Sequence, residues 1–170
     1  QPVDAKKVEQ DPVMTPIEMP MNDEIQQVNG VSKATNKETQ RLSNKLADAT
    51  KAMVKKNWKT IYVKAVPTGD KAAVRFYYVD TRGQVHNGQV IRNTGLSKGK
   101  YMTGSLRQAE ALQELVNHLE RTGQEVPSSI DIIITQGGYR SKTIFNYDED
   151  TSNLPAYQQQ YEQQNFPTMK

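Results

Sequence analysis

Asp148, Glu149 and Asp150 follow Tyr147 at the end of a β-branched, aromatic run, and no other group of residues in the chain invites chemistry as strongly. Hydrolysis needs convergent carboxylates with pKa values pushed apart, or a nucleophile beside a base. Consecutive residues of an extended strand point to alternate sides, so three neighbouring acids make a poor acid/base pair. They suit a charged surface offered to a partner better. Asp131 and Lys142 are a second candidate, since they could face one another across the same hairpin as parts of a metal nuclease, although their spacing is non-specific.

Other chemistries find little support. The chain has no cysteine, which removes disulfides, thiolate catalysis and Cys-based zinc sites. Its two histidines, His86 and His118, fall in different elements, and no carboxylate stands three or four residues after His118. Neither GxxxxGK[ST] nor GxGxxG occurs, so a phosphate cradle is unsupported. No cofactor and no metal are expected, and the residues argue against an enzyme.

Charge is distributed unevenly. Lys33, Lys37, Arg41, Lys45, Lys51, Lys55, Lys56 and Lys59 face only Glu38 and Asp48 across residues 33–59, a local balance of +6 within a chain of net +3. Such a helix can meet nucleic acid, an anionic surface or an acidic protein, or it can simply be a solvated face. Its seven lysines and single arginine favour contact with phosphates or acids over base readout, so sequence-specific nucleic-acid binding is not expected.

The elements that position these residues follow from periodicity and turn chemistry. Residues 1–32 contain Pro2, Pro12, Pro16 and Pro20 and no aromatic residue, a composition expected of a flexible arm. Residues 33–170 are expected to form one α+β domain. Thr35 with Glu38 resembles a capping box, and Leu42, Leu46, Ala49 and Met53 carry an apolar stripe over a helix at 35–57. Strands are expected at 58–66, 72–80 and 84–91, the first with Ile61, Val63 and Ala65 on one face and Thr60, Tyr62 and Lys64 on the other. A loop at 92–103 leads to a second helix at 105–121, with Ser105 as its cap and Leu106, Ala109, Leu112, Leu115, Val116 and Leu119 as its apolar face. Strands at 130–135 and 139–147 flank a Gln136-Gly137-Gly138 turn, and a short helix at 154–166 can dock through Leu154, Tyr157, Tyr161 and Phe166. Tight hairpins rather than helical crossovers join most neighbours. The fold expected is therefore an antiparallel, meandering sheet of about five strands, with two long helices and a short C-terminal helix packed on it. The helices are placed on one side.

Trp58 with Ile61-Tyr62-Val63, then Arg75-Phe76-Tyr77-Tyr78, a long amphipathic helix, and the closing Phe145-Asn146-Tyr147-Asp148-Glu149-Asp150 together resemble the YezG-type immunity family over residues 35–166. That resemblance implies a small bacterial antitoxin of polymorphic and type VII secreted toxins, many of them nucleases, which acts by binding its toxin. Family members are typically acidic and begin at the first helix, whereas this chain has a pI near 9.0 and 32 preceding residues. A tryptophan common in the family's last helix is replaced here by Tyr161.

The residues expected to touch a toxin are Tyr147, Asp148, Glu149 and Asp150 for its cations and donors, and Trp58, Tyr77, Tyr78 and Tyr161 as aromatic anchors. The alternative is a nucleic-acid or anionic-surface binding module working through helix 35–57. No apolar run reaches the roughly 20 residues that a bilayer span needs. The resemblance implies bacterial cytoplasm, while a start at Gln1-Pro2 without Met suits a processed, periplasmic protein or a trimmed chain.

Overall fold

The computed structural model describes residues 32–68, 71–137 and 140–169; the expected arm at 1–32 falls, but for Ser32, outside the described residues. The elements run α1 (Lys33–Lys51), β1 (Trp58–Thr68), β2 (Lys71–Asp80), β3 (Val85–Asn87), α2 (Ile91–Thr94), α3 (Lys98–Arg121), β4 (Ser129–Thr135), β5 (Arg140–Asn146) and α4 (Leu154–Asn165). The five strands form one antiparallel sheet in the order β3-β2-β1-β4-β5. The fold is α+β, as the hairpin-rich order implies. A β1-β2-β3 meander is extended by the β4-β5 hairpin, which adds to the free edge of β1 and makes β1 the central strand.

Alternation along the strands sorts the side chains onto two faces. On one, Ile61, Val63, Phe76, Ile130 and Ile132 are each at most 1% exposed and pack against Leu42 and Leu46 of α1 and Leu112, Leu115 and Leu119 of α3. Truncating one such residue to alanine costs about 2–5 kcal/mol. The two helices run antiparallel, because cross-contacts pair Thr39 with His118, Lys45 with Glu114 and Thr50 with Gln108. Gly104 lets α3 approach closely, since a Cβ there would lie 2.1 Å from the Met53 sulfur.

Helix boundaries depart from the sequence expectation. Ser32, not Thr35, caps α1 through a bond from the Thr35 amide to its hydroxyl, and Glu38 is drawn sideways onto Arg41. The helix stops at Lys51, after which Met53 and Val54 turn into the core and the Lys55 amide donates to the Thr94 carbonyl. Ser97 caps α3, so the helix starts seven residues before the expected Ser105. Leu106, expected in the apolar face, is 59% exposed. The expected strand at 84–91 shrinks to three residues because the Gln89 side chain accepts from the Phe76 amide and donates to its carbonyl, which ends the ladder.

The helices do not share one side. α4 lies on the opposite face of the sheet, where Tyr161 and Phe166 meet Tyr77, and Phe166 also meets Tyr62. Its inward positions 157, 161, 162 and 166 follow the helical period but are mostly aromatic and polar, which is the surface this second layer offers.

Candidate functional site

The outer face of the sheet, beneath α4, holds a cluster of charged and hydroxyl side chains. Its centre is Lys64, whose side chain is 7% exposed and whose register partner on β4 is Asp131. The Lys64 Nζ lies 3.2 Å from Asp131 Oδ1, and 5.0 and 5.5 Å above the rings of Tyr161 and Tyr157. Burial opposes the ammonium charge, but the attraction of Asp131, with smaller help from Tyr157 and Glu149, outweighs it and holds the Lys64 pKa above its ordinary value. On the other side Lys64 is opposite Arg75 of β2, a like-charge pairing. Glu162 of α4 relieves it by accepting from Arg75 at 3.3 Å and from the Tyr77 hydroxyl at 2.6 Å.

Asp131 and Lys142 do not face each other. Asp131 pairs with Ile144, Lys142 pairs with Ile133, and Asp131 instead accepts from Asn146 at 2.8 Å as well as from Lys64. The carboxylate is thus held in an internal ion pair rather than beside a second catalytic group. Among the described residues no group of three or more His, Cys, Asp and Glu converges as a metal site.

The three consecutive acids separate into different roles. Asp148 takes a left-handed backbone with φ of +62°, the only described non-glycine residue to do so, and this bends the chain away from β5. Glu149 is thereby turned back onto the start of β4, where it accepts from the hydroxyls of Ser129 at 2.5 Å and Tyr157 at 3.1 Å, while its amide donates to Ser128 Oγ at 3.3 Å. Asp150 accepts from the Ser152 hydroxyl and amide, and these bonds lower its pKa. Glu149 fastens α4 to the sheet, whereas Asp148 is exposed, and Tyr147 keeps 41% exposure while burial and the nearby Glu125 carboxylate push its hydroxyl pKa up. A cleft of about 580 Å³ opens on the outer face, bounded by Lys64, Asp131, Glu149, Asp150, Tyr157 and Gln160.

The aromatic residues named from sequence are mostly interior. Tyr77 is fully buried beneath α4, and burial together with the Glu162 carboxylate pushes its hydroxyl pKa up. Tyr78 is 3% exposed, stacks on His86 and donates to the Asn93 carbonyl. Neither offers its ring to a partner. Trp58 is half-buried against the core at an irregularity in the β1-β2 register, and Tyr161 is half-buried between Lys64, Tyr77 and Phe166. Sequence reasoning passed over Lys64, Tyr157 and Glu162 as members of this cluster. A lysine in the middle of an otherwise apolar strand and an aspartate inside an isoleucine run were the available signal, because each needs a partner if its strand is covered on both faces.

A five-stranded antiparallel sheet, backed by two long helices and crossed on its other face by a short one that an acid-bearing turn fastens, makes up a small α+β fold. The family model described as "Immunity protein YezG-like" matches residues 39–169. The chain belongs to the YezG-like family of immunity proteins. No curated protein matches it. Among the described residues no helix is long and apolar enough to cross a membrane.

Proposed function

We propose that this protein neutralises a cognate secreted bacterial toxin by stoichiometric binding that occludes the toxin's active site, with no catalysis of its own. Family membership supports the immunity role, and the outward turn at Asp148 is the structural observation that carries the surface. Tyr147 and Asp148 are both exposed, and Asp150, two residues further on, lines the open cleft. Occlusion needs a complementary patch of about 800 Å² per partner, with aromatic contact at its centre and charge around it. Acids on this rim favour a toxin whose cleft is cationic, as a nuclease cleft is, and give a fast, salt-sensitive encounter. Two cations of the basic helix are already engaged, Arg41 by Glu38 and Lys45 by Glu114, which supports reading α1 as a solvated face.

The test uses the full chain as bait in its native bacterium, followed by titration of the captured toxin domain's activity. Abolition of that activity at one equivalent, lost in the Tyr147→Ala/Asp148→Lys variant, is the expected result. Full toxin activity in the presence of excess protein would remove the proposal.

A further inference from the structure

A second surface involves α3 and the segment that leads into it. Residues 81–109 contain Arg82, Arg92, Lys98, Lys100 and Arg107 and no acid. The turn after α1 adds Lys55 and Lys56, which pack beside Gly95. All these bases are exposed, and among the described residues none of them has an ion-pair partner. Among the α3 bases Lys98, Lys100 and Arg107, Met102 and Leu106, one helical turn apart, are each 59% exposed. With Tyr147 they are the only large apolar side chains exposed among the described residues. On α3 this apolar pair is thus accompanied by Lys98, Lys100 and Arg107, with Glu110 one turn beyond Leu106 and Asp80 next to the Arg82 turn as the acids at its borders. Phosphates would satisfy the cations but leave the apolar pair uncovered, so an acidic peptide that also carries apolar side chains fits better.

The chain holds such a peptide. Residues 9–21 contain Glu9, Asp11 and Glu18 with no base, and intersperse Val13, Met14, Ile17, Met19 and Met21. The reach is sufficient. α1 runs for 19 residues, about 28 Å at 1.5 Å per residue, from Ser32 to the end near Met53, which touches Gly104 of α3. Residues 22–31 can span at most about 33–36 Å. We infer that the Met102–Leu106 face of α3 and its surrounding bases are a docking surface for residues 9–21 of this same chain. The attraction combines burial of thioether and aliphatic groups with complementary charge, and methionines on both sides adapt readily to one another.

The absence of cysteine allows one site-specific spin label. Placed on the full chain through Thr103→Cys, an exposed position, it is expected to broaden the amide signals of residues 9–21. The broadening should weaken at about 1 M salt, where the Debye length falls to about 3 Å. It should be lost in Met102→Ser/Leu106→Ser and in Lys98→Glu/Lys100→Glu, both confined to exposed positions that leave the core intact. Absence of broadening, or broadening that neither double variant changes, overturns the inference. Broadening seen only when labelled and isotope-enriched copies are mixed also overturns it, and assigns the contact to two copies instead.

Discussion

Lys64 and Asp131 are direct cross-strand partners on β1 and β4, with Nζ and Oδ1 3.2 Å apart beneath the tyrosines of α4. This pair explains how a sheet can be covered on both faces while carrying charge at its centre. Removing one partner leaves the other charge nearly enclosed. Asp131→Ala is expected to destabilise the fold by about 2–4 kcal/mol in denaturant titration, less than a fully enclosed pair because Asp131 keeps some solvent. The Lys64→Met/Asp131→Leu double replacement should recover much of that loss; equal damage from both variants would argue against an isolated-charge penalty. Because the Lys64 pKa is raised, its contribution is full below its ordinary value and is lost as alkaline pH rises through the folded one.

Asp148 holds a backbone that glycine adopts at little cost and a β-branched residue resists. Asp148→Gly should leave stability unchanged or raise it slightly, whereas Asp148→Val should lower it by about 1–2 kcal/mol. The glycine variant should still weaken toxin binding, since it keeps the turn and removes the carboxylate. Stability by thermal melt and affinity by titration separate the two effects.

Glu149 acts within the fold. Glu149→Gln keeps its size but weakens the bonds from Ser129 and Tyr157, so α4 should loosen. Faster hydrogen exchange confined to α4 and to its partners on β1 and β2 is the expected signature. Tyr77→Phe should act on the same helix by leaving Glu162 short of a donor, at a cost of about 1–3 kcal/mol. With its ring enclosed, Tyr77 should change toxin affinity only as far as it changes stability.

His118 links α1 to α3 and makes the fold sensitive to mild acid. Its Nε2 lies 2.8 Å from Thr39 Oγ1, and because that hydroxyl donates to the Thr35 carbonyl, its oxygen is left to accept from the ring. Burial lowers the His118 pKa below its ordinary 6.5. The unfolded chain therefore binds this proton more readily, and stability present above pH 6.5 falls as the pH drops toward the folded value. His118→Gln should flatten that dependence between neutral pH and the onset of carboxylate titration. An unchanged slope in denaturation midpoints would exclude His118 as its source.

Much of this architecture is written locally. Alternation in β1 put Ile61, Val63 and Ala65 on one face, which is the core face, and the glycine turn placed β4 beside β5, because a strand's two faces and a short turn are properties of a few adjacent residues. The aromatic spacing of α4 announced a docking helix, and the motifs around Trp58 and residues 145–150 announced the family. Local signals misplaced the starts of α1 and α3, since Ser32 and Thr35, like Ser97 and Ser105, compete as caps until packing chooses one. Gly104, outside both the expected loop and the expected helix, is the point where Met53 enters, a gain visible only once α1 lies against α3. Register did the rest. A shift of two residues decides whether Asp131 meets Lys142 or Ile144, and nothing within either strand encodes it; the partner strand and the helix above must be in place. For the same reason the sequence marked three acids as one tract. Only the left-handed turn at Asp148 and the hydroxyls waiting at Ser129 and Tyr157 divide them into an outward carboxylate and an inward fastening, because a side chain's role depends on what the folded chain brings within reach.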